Sequence, residues 1–375
     1  QVWALAAQLH EDSLWQVALG EASCLPLGMC ILLIALGCHP AIPFLCAHNR
    51  DENRNRPSGD DKLEPETQIA CGRDSQAGGM VLGLQSATGD FAALTNCRTH
   101  VKQDKDVLTS RGRLVERLVA EGPSGIEDFF RSRTFDGFHV VFGNVYDVAP
   151  QLQYLWNAPS DCVADGEPAQ WHSGLSDLQG GRVFVVSNEN PASVSGCSSA
   201  DGGVVGSAVC AWPKCRWLER RAAEFLKALP EDPKVDDIQV GISRIMDAYD
   251  VPGLEPPERL PLWFGGEEEV LLHTGPFAPW RPSFKSFGTV SQRVMISDGR
   301  TQEMNYFHRS TNIGWETATP EHPTRCGEWE RIRVPWAHRA DVGRSEGENR
   351  DTDRGDDENR DPKRQCTSRH FTSRL

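Results

Sequence analysis

The stretch that most constrains this chain is residues 29–58. Residues 31–36 are an apolar run of strand length and strand composition, interrupted by Gly37 and Pro40. A second apolar run, residues 43–47, empties into the charged cluster Asn49-Arg50-Asp51-Glu52. Two runs of this length with turn residues between them predict a β-hairpin. A hairpin brings its far ends together, so Cys30 is expected beside Arg50 and Asp51. A thiol, a guanidinium and a carboxylate at one end of a sheet suit a nucleophilic site. The Arg lowers the thiol pKa, and the Asp orients a base or holds the Arg in place.

Composition narrows the function classes. At 375 residues the chain has room for one large domain or two. Its hydrophobic fraction of 39% is low for a compact domain, which fits a folded core diluted by loops and tails. The net charge is −14, and because acids and bases balance beyond His338 the acidity belongs to the body of the protein. An acidic body argues against nucleic acid as a partner, since phosphate binding needs a clustered positive surface. The twelve cysteines show no Cys-x-x-Cys spacing, which excludes a zinc ribbon or a thioredoxin-type motif. With no Asn-x-Ser/Thr acceptor either, the reading is a reducing compartment and mostly free, buried thiols. No stretch reaches membrane-spanning length, so no transmembrane segment is expected. His39 and His48 lie near the cysteine and are residue types that ligate metal or haem, but lone histidines are more often surface or capping residues. No metal site is predicted.

Taken in order, residues 1–28 carry a weak helical pattern broken by acids and lack the features of a signal peptide. Met29 is expected as the start, with residues 1–28 an extension outside the domain; the alternative is a genuine amphipathic leader. Residues 53–77 read as a polar loop, and residues 80–84 and 91–95 as strands around Thr88-Gly89-Asp90. Ser110 is expected to cap a helix with Leu114, Val115, Leu118 and Val119 on its apolar face, and Ser124 a shorter one. Residues 138–142, 152–156 and 182–186 read as strands, and the Ser/Gly/Ala-rich residues 190–209 as a flexible insertion. Helical periodicity covers residues 212–229 and 235–249. Residues 250–285 are Pro-rich without periodicity, and residues 287–296 and 304–308 pair around Asp298-Gly299. One domain is expected over residues 29–328, followed by a disordered charged tail over residues 329–375. Antiparallel strand pairs with helical blocks between them predict an α+β fold of layered sheets.

Met29-Cys30, Asn49-Arg50-Asp51-Glu52 and Arg56-Pro57-Ser58 stand in an order and spacing that resembles the NRDE family, also called the transport and Golgi organisation protein 2 family. Ala92-Ala93-Leu94-Thr95-Asn96, Ser110-Arg111-Gly112, Gly137-Phe138-His139, Val186-Ser187-Asn188 and Phe287-Gly288-Thr289 resemble further family segments. Gly78-Gly79 with Leu82-Gly83 resembles another, with Val81 in its tryptophan position. The resemblance covers about residues 29–320. It implies a fold similar to N-terminal nucleophile hydrolases, a four-layer αββα sandwich. It also implies a role in Golgi organisation and protein secretion, through an unknown small-molecule, lipid-type or haem-type ligand. The expected location is cytoplasmic, Golgi-associated or mitochondrial. No resident cofactor is implied. The alternative is a cysteine amidohydrolase that cleaves a linear amide, and the choice between binder and enzyme stays open.

In the related hydrolases a first-residue cysteine supplies both nucleophile and base, the base being an α-amine that titrates near about 8. Cys30 matches that position if Met29 is removed. Arg50 matches an arginine that frames the cysteine. The related aspartate lies where this chain has Asn53, so Asp51 is the nearer carboxylate. Asn96 and Asn188 each end an apolar strand and match the asparagines that support the oxyanion and the substrate carbonyl. The candidate site is therefore Cys30, Arg50, Asp51, Asn96 and Asn188. One departure weakens the enzyme reading: Val290 stands where family members often show an arginine after Gly-Thr.

Overall fold

The two apolar runs at the front of the chain form an antiparallel hairpin, β1 (Ile31–His39) and β2 (Ile42–Asn53), with Ile31 opposite Asn49 and Leu36 opposite Phe44. The computed structural model describes residues 30–56, 59–97, 108–147, 149–159, 171–189, 210, 212–256, 270–279, 287–311, 313–319 and 324–336. The leader with Met29, Pro57-Ser58, the insertion at 190–209 and the tail beyond 336 lie outside the described residues, as does most of the polar stretch before the first helix.

After the hairpin come β3 (Lys62–Leu63), β4 (Ile69–Arg73), β5 (Met80–Gln85) and β6 (Asp90–Asn96), then helices α1 (Arg111–Glu121) and α2 (Ile126–Arg131). Strands β7 (Phe138–Asn144), β8 (Gln151–Pro159), β9 (Trp171–Leu178) and β10 (Arg182–Val186) precede α3 (Pro213–Lys227) and α4 (Val235–Met246). The described part ends with β11 (Phe287–Asp298), β12 (Glu303–Ser310) and β13 (Glu330–Pro335).

These strands make two antiparallel sheets. One has six strands in the order β10-β1-β2-β11-β12-β13, the other seven in the order β3-β4-β5-β6-β7-β8-β9. Their inner faces meet in an apolar layer that includes Leu32, Ile34, Phe44 and Met295 from the first sheet and Leu82, Phe91, Val141 and Tyr154 from the second. Phe44 and Phe91 cross this layer edge to face, ring centroids 5.0 Å apart. The outer face of the first sheet is covered by α3 and α4 through Leu218, Ala222, Ile238 and Ile242. That of the second is covered by α1 and α2 through Leu114, Val115, Leu118 and Ile126. The layer order is αββα. A strand of the first sheet thus buries both faces, which is why residues 31–36 are unbroken apolar. Each such Leu or Ile contributes about 1.5–3 kcal/mol by leaving water.

Several boundaries differ from the sequence pattern. The charged cluster after the second apolar run continues β2 to Asn53, because β11 pairs along it from Phe287↔Asn53 to Ile296↔Leu45. The region read as a polar loop contains β3 and β4. Edge strand β9 is polar enough to hide its period, with most of its residues partly or fully exposed. Residues 330–335, assigned from composition to the charged tail, form the edge strand β13, which pairs with β12 through Glu303↔Pro335 to His308↔Glu330. Ser110 occupies the N-cap position of α1 without a side-chain capping bond, and Gly125 rather than Ser124 precedes α2. Among the described residues no disulfide forms, and Cys30, Cys46, Cys71, Cys97, Cys210 and Cys215 are buried.

Candidate functional site

The hairpin delivers Cys30 and Arg50 to one end of the sandwich, where they line a cavity of about 290 Å³. Its other walls come from the second sheet and the start of α1. Met80 and Val81 of β5, Leu94 of β6 and Leu108 give it an apolar side, while Glu52, Arg56, Asp74, Asn96, Ser110, Arg111 and Asp136 give it a polar one. The helix start can close this wall because two glycines meet there. A Cβ at Gly112 would lie 2.8 Å from the Gly79 Cα, and one at Gly79 would lie 2.9 Å from the Gly112 Cα.

The Cys30 thiol is buried and donates a long hydrogen bond to the Asp51 carbonyl oxygen at 3.8 Å. Ser187 Oγ donates to the Cys30 carbonyl at 3.0 Å and fixes the backbone there. Burial pushes the thiol up to about 12; the Asp51 charge adds to the rise, and Arg50 opposes it. Arg50 is itself held by carboxylates, with Nη2 3.0 Å from Asp74 Oδ2 and 3.6 Å from Glu52 Oε2. Burial still lowers its pKa, against the Glu52 charge. Arg56 reaches the same two oxygens, Asp74 Oδ2 at 2.8 Å and Glu52 Oε2 at 3.5 Å.

Asp51 projects from the opposite face of β2, as alternation along a strand requires. Its carboxylate accepts a 2.6 Å hydrogen bond from Thr289 Oγ1, which accepts in turn from the Ala278 backbone N–H at 2.9 Å. Its side chain is not among the groups lining the cavity, although its carbonyl and its charge both act on Cys30. Asn96 lines the cavity, and its carbonyl accepts from Asn188 Nδ2 at 2.5 Å. Asn188 is fully buried, and its Oδ1 has no partner among the described residues. The structure therefore brings Cys30, Arg50 and Asn96 to one cavity, with Asn188 behind Asn96 and Asp51 behind the strand.

Sequence reasoning gave no role to Arg56, Asp74, Arg111 and Asp136. Arg56 and Arg111 carry a signal, since both stand in recognised segments. Asp74 and Asp136 carry none, because only the fold brings them to the cysteine. Arg111 Nη1 donates to the Gly137 carbonyl at 2.9 Å and lies 3.6 Å from Asp136, and burial lowers its pKa against that charge.

Val290 sits at a bulge in β11, where the register with β2 shifts between Thr289 and Ser291. It lines a second, larger cavity of about 410 Å³ on the other side of Arg56. Arg293, three residues on, is fully buried between the sheets and pairs with Asp61 at 2.9 Å. Tyr306 donates to the same Asp61 oxygen at 2.8 Å. His48 faces this network with neither ring nitrogen partnered among the described residues; burial, with Arg293 and Arg50, holds its pKa well below the ordinary value, so the ring is neutral.

Among the described residues, no group of three His, Cys, Asp or Glu side chains is placed to hold a metal ion, and no helix is long and apolar enough to cross a membrane. No curated protein matches the chain. A family profile described as Transport and Golgi organisation 2 matches residues 29–312, a span that opens one residue before Cys30 and takes in both sheets up to β12. The chain belongs to the Transport and Golgi organisation 2 family.

Proposed function

We propose that this chain serves transport and Golgi organisation as a binding factor for a small lipid-type ligand, held in the cavity beside Cys30, on the cytoplasmic side of the secretory pathway. The family description supports the cellular role. The observation that carries the binding reading is the burial of the Cys30 thiol where it meets the cavity. Burial pushes it up to about 12, so it is protonated at neutral pH. A protonated thiol is a poor nucleophile and a poor ligand for haem iron. Nor does a histidine line the cavity among the described residues. What the cavity offers is an apolar wall of Met80, Val81, Leu94 and Leu108 facing a larger polar side that includes Arg50, Arg56, Arg111, Asp74 and Asp136. Its volume, about 290 Å³, lies at the small end of ligand sites, which run to about 1,000 Å³, and suits a slender acyl chain better than a macrocycle.

Calorimetric titration with decanoate tests this reading. Decanoate binds the protein, and Leu108→Trp, which fills the cavity from its apolar wall, weakens binding at least tenfold. No decanoate binding, or an affinity indifferent to Leu108→Trp, overturns it.

A second reading, a cysteine amidohydrolase of the N-terminal nucleophile type, is favoured by one arrangement: Cys30, Arg50 and Asn96 share a cavity, with Asn188 bonded to Asn96. It requires Cys30 as a free N-terminus, so that its α-amine, with a pKa near about 8, takes the thiol proton. Intact mass and N-terminal sequencing of the protein from its own host separate the two. A chain starting at Cys30 supports hydrolysis, and one retaining earlier residues removes it.

A further inference from the structure

Two thiols meet at the start of α3, and neither of them lines the Cys30 cavity. Cys215 stands in the first turn of the helix, where its backbone N–H donates to the Trp212 carbonyl at 2.9 Å. Cys210 lies five residues earlier, and the fold brings its side chain into hydrogen-bond contact with that of Cys215. Both thiols are free, and both are packed in the apolar layer under α3 and α4, Cys210 3% exposed and Cys215 fully buried. A buried cysteine ordinarily serves as a small apolar residue among carbon neighbours. Cys210 instead has a second sulfur beside it and a carboxylate as well, since its thiol also donates to the side chain of Glu189. Burial pushes this thiol well up, and Cys215 and Glu189 add to the rise.

The contact decides the chemistry. A lone thiol met by a peroxide stops at the sulfenic acid or runs on to the sulfinic acid, whereas a second thiol in contact diverts it to a disulfide. A carboxylate bonded to the first thiol takes its proton as the sulfur attacks, which matters most where burial keeps that thiol protonated. Burial also selects the oxidant. A molecule near the size of water reaches such a pair, and a peptide disulfide, which must bring its own sulfur up to the attacking one, does not.

We propose that Cys210 and Cys215 form a redox site that takes hydrogen peroxide and closes to a reversible disulfide, with Glu189 as the base. The Cys210 sulfur bonds to one peroxide oxygen as the O–O bond breaks. Its proton passes through Glu189 to the leaving hydroxide, which gives water and a sulfenic acid on Cys210. The Cys215 sulfur then attacks the Cys210 sulfur, the S–O bond breaks, and the leaving hydroxide takes the Cys215 proton as a second water. The two thiols lose two protons and two electrons, and one peroxide becomes two waters. This site is independent of what the Cys30 cavity binds.

The test treats the reduced full-length protein with hydrogen peroxide, blocks the remaining thiols in denaturant with N-ethylmaleimide and maps the disulfides by peptide mass. The expected product is a Cys210–Cys215 link that dithiothreitol reverses. Cys215→Ser stops at a sulfenic acid on Cys210, labelled by dimedone. Glu189→Gln, close to the same volume, closes the link about tenfold more slowly, and glutathione disulfide in place of peroxide is slower than peroxide by about the same factor. Cys97 is the competing thiol, since it donates to the Glu189 carbonyl at 3.8 Å. A link from Cys210 to Cys97, a sulfinic acid on Cys210 beside a reduced Cys215, or both thiols still reduced once the exposed Cys326 is fully oxidised overturns the site. An unchanged rate in Glu189→Gln removes the base and overturns the mechanism. The disulfide map of the parent protein decides the matter even where Cys215→Ser fails to fold.

Discussion

Arg50 and Arg56 converge on a single oxygen: Asp74 Oδ2 lies 3.0 Å from Arg50 Nη2 and 2.8 Å from Arg56 Nε. Glu52 Oε2 bridges the same two guanidiniums at 3.6 and 3.5 Å, closing a ring of two cations and two anions beside the cysteine. Asp74 also caps its own turn, accepting from the Gln76 and Ala77 backbone N–H groups. Asp74→Ala removes both functions and leaves Arg50 short of a partner in a buried site. The expected loss is about 2–4 kcal/mol in urea unfolding. Asp74→Asn, which keeps the turn caps, costs less.

The thiol of Cys30 gives a pH signature. Its folded value of about 12 stands above the unfolded value of about 8.5, so its stabilising contribution is complete below about 8.5 and is lost as pH rises toward 12. Peptide-resolved alkylation of Cys30 in native protein should therefore keep rising well beyond pH 9, where an ordinary thiol levels off. Asp51→Asn removes a charge that raises the thiol, and alkylation at pH 8 should quicken several-fold. A plateau at pH 9 in the native protein contradicts the burial argument.

Acid acts on a different pair. Glu64 is held down to about 2, first by the Arg73 hydrogen bond, with Nε 2.5 Å from Oε1. A depressed carboxylate stabilises above its unfolded pKa of about 4.3, and the contribution is lost as pH falls from there through 2. The pair is partly solvated, so its worth is about 1 kcal/mol or less. Glu64→Gln should flatten the fall in thermal stability between pH 4.3 and 2, and its stability should meet that of the parent only below about pH 2.

The contact between Gly79 and Gly112 sets where α1 begins. A methyl group at Gly112 meets backbone at 2.8 Å, and no side chain is there to yield. Gly112→Ala should cost about 1–3 kcal/mol by forcing the helix start away from β5, read as a lowered unfolding midpoint. An unchanged midpoint would mean that the two segments separate freely.

How much of this was legible depends on whether a residue's neighbours lie near it in sequence or only in space. Residues 31–36 and 43–47 announced β1 and β2 because both faces of those strands are buried, and the hairpin register then placed Cys30 beside Arg50. The opposite projection of Asp51 also follows from strand alternation. Strand β9 escaped because an edge strand facing water keeps too few apolar residues to show a period. Strands β3 and β4 escaped because β3 is only Lys62–Leu63 and the short buried run 69–72 of β4 is set among the charged residues Glu64, Glu66, Arg73 and Asp74. Asp74 and Asp136 reach the cysteine only through turns of the second sheet and the α1 neighbourhood, and no spacing encodes that.

Strand β13 bears on how the molecule tolerates shortening. Ile332 packs against the apolar layer between the sheets and Val334 is buried in it, while Glu330 and Arg333 are exposed and Arg331 bonds to Asn305 over the Phe307 ring. Trp336 stacks on Tyr146, ring centroids 5.5 Å apart, and so ties this last strand to the loop after β7 of the other sheet. A chain cut at residue 328 would uncover the hydrogen-bonding edge of β12 along its length. Bare edges of this kind recruit strands from other molecules. The six residues of β13 thus act as a guard against self-association, and a well-behaved fragment has to extend past Trp336.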